Sequence, residues 1–207
     1  MRIDRAGVPF IAGTLAPAAV LAVLGLPWLA LPFAILAGLM TYFFRDPDRE
    51  SPFDPAAVVS PADGRVLIAG PAGGGSTPAG DWQQVSIFLS PLDVHVNRIP
   101  VTGRLTHVEF RPGRFVAAYR GAASAGNERN ELWIDRGGER VVCRQIAGAL
   151  VRRVVCRLEA GADVRAGQRF GIMKFGSRID LLLPARAVLR VRPGERVRGG
   201  ESIVATL

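Results

Sequence analysis

The sequence predicts a mainly β fold, a β-sandwich or sandwiched barrel built of hairpins, preceded by an apolar helical hairpin or membrane helix. Three observations predict it. Residues 8–44 carry no charged side chain and are dominated by Ala, Leu, Ile, Val and Phe. Beyond them, short runs such as Val85-Ser86-Ile87-Phe88-Leu89 and Leu132-Trp133-Ile134 alternate with a period of two between turn-forming residues. Near the C-terminus, Gly161-Ala162-Asp163-Val164-Arg165-Ala166-Gly167-Gln168-Arg169-Phe170 and Gly194-Glu195-Arg196-Val197-Arg198-Gly199-Gly200-Glu201-Ser202-Ile203 form a weak repeat. Each copy reads as a short strand, a tight glycine turn and another strand.

The apolar stretch is too long for a buried core helix. As continuous helix at about 1.5 Å per residue it exceeds the roughly 30 Å of a hydrocarbon core. Gly25, Pro27 and Pro32 interrupt it near its middle, so a re-entrant hairpin of two short helices competes with one tilted span. Arg2 and Arg5 precede it and Arg45 and Arg49 follow, and a hairpin with both ends cytoplasmic satisfies the positive-inside bias. The stretch is longer than a signal peptide's apolar region, and no small-residue cleavage site leads into a polar start. Residues 1–7 are thus a basic N-terminus, 8–44 a membrane-associating segment, 45–56 a polar linker, and 57–207 the folded domain.

With 207 residues, the chain is long enough for one core plus a membrane element. Its net charge of +8 comes from arginine, with Lys174 as the one lysine. Such a balance suits nucleic acid, an anionic membrane surface or an acidic substrate. The arginines, among them Arg104, Arg111, Arg114, Arg186 and Arg190, are scattered through strand-like runs without interleaved aromatics, which argues against a nucleic-acid platform. Cys143 and Cys156 lie in strand-like runs with no histidine cluster, so neither a disulfide framework nor a metal site is expected, and a reduced, cytoplasm-facing protein fits.

Within the domain, Ser60-Pro61-Ala62-Asp63-Gly64 reads as a turn leading into the strand Val66-Leu67-Ile68, with Asp63 structural by default. Residues 71–80 form a Gly- and Pro-rich loop without a phosphate-binding fingerprint. Past the strand at 85–89, Leu92-Asp93-Val94-His95-Val96-Asn97-Arg98 sets polar and ionisable groups among apolar ones. His95, just beyond a strand end, is a better catalytic candidate than His107, which alternates like an ordinary strand residue. A solvated loop accounts for Asn127-Glu128-Arg129-Asn130-Glu131. Strands follow at 140–146 and 151–158. Gly176-Ser177 sets a hydroxyl beside an unhindered carbonyl, so Ser177 Oγ is able to attack the Gly176 carbonyl where the turn is strained and a base is near. The alternative is a plain hairpin turn.

Four segments in this order behind an apolar N-terminus, Ser60-Pro61-Ala62-Asp63-Gly64, Leu89-Ser90-Pro91-Leu92-Asp93-Val94-His95, Asn127-Glu128-Arg129-Asn130 and Lys174-Phe175-Gly176-Ser177, resemble the phosphatidylserine decarboxylase proenzymes, specifically their short form. The resemblance covers nearly the whole chain. It implies a zymogen of phospholipid biosynthesis that cleaves itself between Gly176 and Ser177 into a β chain, 1–176, and an α chain, 177–207, with a pyruvoyl group in place of Ser177. That group, forming a Schiff base with the amine of phosphatidylserine, would serve as electron sink for loss of CO2, giving phosphatidylethanolamine. No metal is implied. The implied partners are phosphatidylserine, an anionic membrane and the chain's own second half, as a heterodimer or a higher oligomer, with no nucleic acid. The implied place is the cytoplasmic face of the cell membrane, peripheral or re-entrant.

The family's use of Asp, His and Ser for self-cleavage points to Asp63 as the orienting carboxylate. The longer bacterial form has two histidines three residues apart. This chain keeps the first as His95 and has Arg98 at the second, which is the usual processing base. His95 is therefore expected to serve as maturation base, as proton donor in decarboxylation, or both. Arg98 is a candidate for holding the substrate carboxylate or phosphate, with a surface arginine as the alternative, and Asn127 is a further substrate-binding candidate. Two rival readings are a lipoyl- or biotinyl-type carrier modified at Lys174 and a non-enzymatic, membrane-anchored lipid-binding adaptor.

Overall fold

The computed structural model describes residues 2–73, 77–115, 126–148, 154–174 and 177–207. The chain divides into two compact units, 1–48 and 49–207.

In the first unit a short 3-10 turn, Arg5–Gly7, leads into α1 (Val8–Val23), and α2 (Pro27–Phe43) follows. The break between the helices has a local cause. Gly25 adopts φ +73°, and the Leu26 N–H donates to the Leu21 carbonyl at 2.9 Å, closing α1 with a left-handed glycine cap. Pro27 then opens α2, where its missing N–H costs nothing. Strands β1 (Arg2–Ile3) and β2 (Arg45–Asp46) pair antiparallel, so both ends of the apolar segment lie side by side. Of the two alternatives, this unit forms the helical hairpin. Among the described residues one helix, Arg5–Val23, is long and apolar enough to cross a membrane.

The second unit is built of antiparallel strands: β3 (Ala57–Val59), β4 (Gly64–Pro71), β5 (Trp82–Leu89), β6 (Val96–Arg98), β7 (Gly103–Arg111), β8 (Arg129–Arg136) and β9 (Glu139–Ala147). It continues with β10 (Val154–Cys156), β11 (Asp163–Val164), β12 (Arg169–Met173), β13 (Ser177–Pro184), β14 (Val188–Leu189), β15 (Arg196–Val197) and β16 (Ile203–Thr206). The main sheet has the order β11-β7-β8-β9-β13-β5-β4-β15, and two three-stranded sheets, β10-β12-β6 and β14-β16-β3, accompany it. One face of the main sheet carries the core, with Ile87, Leu89, Leu132, Ile134, Cys143, Ile179 and Leu181 at 0–2% exposure. The opposite face of the same strands is buried yet charged. There Arg178 Nε meets Asp180 Oδ1 at 2.5 Å, Ser86 Oγ donates to the same oxygen at 2.6 Å, and Arg144 Nε meets Glu131 Oε2 at 2.6 Å.

The weak repeat is a structural one. Gly161 and Gly194 have φ of +92° and +94°, and Gly167 and Gly200 both have +78°. The correspondence also takes in 57–66 and 96–105, whose sequences gave no sign of it. Val59 N–H donates to Pro100 O, and Arg98 N–H donates reciprocally to Pro61 O, both at 2.9 Å. Gly200 N–H reaches Ser60 O at 2.7 Å, as Gly167 N–H reaches Ile99 O at 2.8 Å. β15 pairs with β4 as β11 pairs with β7, and β16 with β3 as β12 with β6. An internal two-fold therefore relates the two ends of the main sheet.

Candidate active site

Three core-facing rows end in polar residues near the same end of the main sheet. Period two places Ser177 on the face of Ile179 and Leu181, Gln145 on that of Val141 and Cys143, and Asn130 on that of Leu132 and Ile134. Ser177 opens β13, the strand between β9 and β5, with Ala147 and Leu89 as its neighbours in register. It is 0% exposed, and its Oγ makes no hydrogen bond to another described residue. A buried hydroxyl without a partner is costly to hold and is uncommon where it has no task.

From the accompanying sheet, β6 brings Asn97 and the residues before it. His95 and Asn97 are both 0% exposed. His95 Nδ1 lies 2.9 Å from the Asp93 carbonyl. A carbonyl only accepts, so Nδ1 carries the proton of the neutral ring and the basic lone pair falls on Nε2. Asp93 itself is fixed by a turn: Ser90 N–H donates to its Oδ2 at 2.8 Å, and its own N–H donates to Ser90 O at 2.9 Å. Asn130 Nδ2 donates to Gln145 Oε1 at 3.2 Å, and Gln145 Nε2 donates to Asn97 Oδ1 at 2.7 Å. This relay ends in Asn97 Nδ2, a buried donor with no acceptor among the described residues.

Asp63 stands in the turn before β4. Its Oδ1 accepts the Gly199 N–H at 2.7 Å and its Oδ2 the Arg49 guanidinium at 2.9 Å, while Arg49 also reaches Glu201 Oε2 at 2.7 Å. Burial raises the Asp63 pKa above its ordinary value, against the pull of the Gly199 N–H and of Arg49, and the nearby Asp93 charge raises it further. The bond orienting the His95 ring thus comes from the Asp93 carbonyl, with both Asp63 oxygens engaged elsewhere. The two-fold equivalent of Asp63 is Thr102, whose Oγ1 accepts the Ala166 N–H at 3.1 Å. The fold needs an acceptor at this place, and a threonine meets that need, so the carboxylate goes beyond it.

Arg98 is not a surface arginine. It is 5% exposed, and its Nη1 donates to Gly167 O at 3.0 Å. Asn127 is buried as well, its Nδ2 donating at 2.7 Å to the carbonyl of Ala147, the register partner of Ser177. The solvated loop expected at 127–131 is corrected accordingly: Asn127, Arg129, Asn130 and Glu131 are all buried, tied into β8 and the end of β9. His107 is an exposed strand residue 3.2 Å from Glu109. Gly176 lies outside the described residues. The plain hairpin reading of Gly176-Ser177 does not hold, because β12 and β13 belong to different sheets. For the same reason Lys174, which is half-buried, has no place at the tip of a carrier hairpin.

The donor set suits a pyruvoyl group. The Ser177 hydroxyl, which has no partner among the described residues, is where such a group would form. Asn97, Gln145 and Asn130 are the residues that the sequence reading did not single out as functional. The signal for two of them was a polar residue in an apolar row of alternation.

The family model described as phosphatidylserine decarboxylase matches residues 36–205. A phosphatidylserine decarboxylase proenzyme of Solibacter usitatus (strain Ellin6076) is 42% identical over 205 residues, 99% of this chain and 97% of that protein. One of Symbiobacterium thermophilum is 44% identical, covering 99% of this chain and 95% of that protein, and one of Chlorobium phaeobacteroides (strain DSM 266) is 43% identical, covering 86% and 84%. With a matching family model over most of its length and relatives this similar end to end, the chain belongs to the phosphatidylserine decarboxylase family.

Proposed function

We propose that this chain decarboxylates phosphatidylserine to phosphatidylethanolamine and CO2, using a pyruvoyl group that it makes from its own Ser177. The observation that carries the reading is the Ser177 hydroxyl, buried and without a hydrogen-bond partner among the described residues, at the head of the central strand. In maturation a base takes the Ser177 Oγ proton and the oxygen attacks the Gly176 carbonyl carbon. The peptide C–N bond breaks as the ester forms, freeing the nitrogen of residue 177. Loss of the residue 177 Cα proton then expels Gly176 as the carboxylate end of the 1–176 chain. Water replaces the nitrogen, which leaves as ammonia.

His95 is the base of this reading, its lone pair directed to Nε2 by the Asp93 carbonyl. Asp63 supplies negative charge beside the Asp93 turn and stabilises the imidazolium that results. Asn97 Nδ2, at the end of the amide relay, is the donor for the oxyanion at Gly176. In the decarboxylation, the pyruvoyl group supplies the electrophilic carbonyl and the electron sink. His95 then holds the proton that the substrate Cα takes up. Arg98 provides a cation for the substrate's anionic groups, and Asn127 positions the end of β9 beside residue 177. The 1–176 and 177–207 chains stay together because β13 keeps its hydrogen bonds to β9 and β5. The helical hairpin, with Arg2, Arg5 and Arg45 at its joined ends, supports attachment at the cytoplasmic face of the cell membrane.

Intact mass before and after a carbonyl-trapping amine tests this. The expected result is two chains split between Gly176 and Ser177, the smaller one reactive to the amine. Ser177→Ala is expected to remain a single chain near 22.1 kDa. His95→Ala is expected to slow cleavage by about a hundredfold or more. A wild-type chain that never splits overturns the reading, and retained vesicle binding without CO2 release favours the adaptor instead.

A further inference from the structure

The catalytic residues lie near one end of β8 and β13, and a cavity lies at the other end of β8. It has a volume of about 610 Å³, and Pro52, Phe53, Thr102, Arg136, Arg165 and Ala166 are among its lining residues. Along β8, Arg136 is seven residues from Arg129, on the order of 20 Å at about 3.4 Å per residue. The cavity is therefore distinct from the Ser177 site. Arg136 Nη2 donates to the Pro55 carbonyl, which pins the 52–55 segment as one wall. Its Nη1 is buried and has no acceptor among the described residues. Arg165, which also lines the cavity, is exposed. The acid in the lining, Asp54, already accepts the Ala56 N–H at 2.8 Å. Two guanidiniums, one with an unused buried donor, thus face a concavity, and a fully exposed Phe53 stands at its rim. In sequence, this wall begins only eight residues after the last residue of the apolar segment, Phe44.

We propose that this cavity is a docking site for the phosphate-bearing headgroup of an anionic phospholipid, with Arg136 and Arg165 on the phosphate and Phe53 entering the interfacial layer. A planar guanidinium with a free edge matches phosphate oxygens, and an exposed phenyl ring beside it gains by leaving water for the acyl-chain boundary of a bilayer. The site would hold a membrane lipid while the Ser177 site turns over another. It rests on the membrane-attachment reading but not on the decarboxylation.

Full-length Ser177→Ala protein in a neutral detergent provides the test, because it reads binding without catalysis. It is titrated with dihexanoylphosphatidylglycerol and, separately, with dihexanoylphosphatidylcholine, and 31P line broadening is followed at low and high salt. A preference of about tenfold for the anionic lipid is expected, falling with salt. Arg136→Gln with Arg165→Gln should abolish the preference while the melting temperature stays close to that of the parent. Should the double variant fail to fold, Arg165→Gln alone, on an exposed side chain, should lose about threefold. Phe53→Ser should weaken both lipids equally. A preference that survives removal of both arginines overturns the proposal. So does complete displacement by an equal concentration of inorganic phosphate, which would mark a free-phosphate site. CO2 release by the wild type is measured separately, so loss of either result leaves the other standing.

Discussion

Asp63 and Thr102 hold equivalent places in the internal two-fold, and each accepts one backbone N–H from the glycine turn packed on it. Substituting one for the other therefore separates the acceptor from the charge. Asp63→Thr is expected to melt within a few degrees of the parent and to mature about a hundredfold more slowly, whereas Asp63→Ala loses the acceptor too and melts lower. Formation of the 177–207 chain over time, read by mass, checks the first effect. The sign of the pH dependence follows from burial, which raises the Asp63 pKa above 3.8. The folded chain holds this proton more tightly than the unfolded one. The group's contribution to stability is therefore fully present below pH 3.8 and is lost as pH rises through the folded value. Maturation, which uses the carboxylate, rises through the same window. Its acid limb should lie above the ordinary Asp value of 3.8 and vanish in Asp63→Thr. At this scale Ser177, His95 and Asp63 were legible as candidates from the short motifs in which they stand. Gln145 was not, because a single amide in the run Val141-Val142-Cys143-Arg144-Gln145 reads as an ordinary strand position until the neighbouring strands show which face it shares.

Among the elements, β13 bears the greatest load. Its core face ends in Ser177, and its other face places Arg178 and Asp180, each 1–2% exposed, between Ser86 of β5 and Arg144 of β9. Along the sequence the arginines are scattered among strand-like runs. Register brings Glu131, Arg144, Asp180 and Ser86 into one row across four strands. A buried ion pair is weak evidence of net stabilisation, but removing one partner leaves an uncompensated charge. Asp180→Ala is therefore expected to destabilise the uncleaved Ser177→Ala protein by about 3–5 kcal/mol in urea melts, and replacing Arg178 and Asp180 together by leucine should restore much of that. The repeat was half legible for a related reason. Glycines with positive φ leave a mark in sequence, because few other residues adopt that backbone, whereas the 57–66 and 96–105 segments share backbone hydrogen bonds that many side chains tolerate.

At the scale of the whole molecule, the first unit is a hairpin whose ends are tied by β1 and β2 and whose tip, Leu24-Gly25-Leu26-Pro27-Trp28, has no polar side chain. Val23 and Trp28 are 87% and 83% exposed. A tip of this kind is unfavourable in water and favourable within a bilayer, where the aliphatic side chains suit the hydrocarbon and the Trp28 indole suits an interface. α2, with 17 residues at about 1.5 Å each, reaches on the order of 25 Å, short of the roughly 30 Å of a full crossing. The length of α2 favours a hairpin that turns inside the bilayer over one in which both helices cross it fully. With Trp82 and Trp133 replaced by phenylalanine, Trp28 reports its own depth. In vesicles of brominated phospholipids, bromines near the bilayer centre should quench Trp28 more strongly than shallow ones. Stronger quenching by shallow bromines would place the tip at an interface, and the hairpin would then cross the bilayer twice.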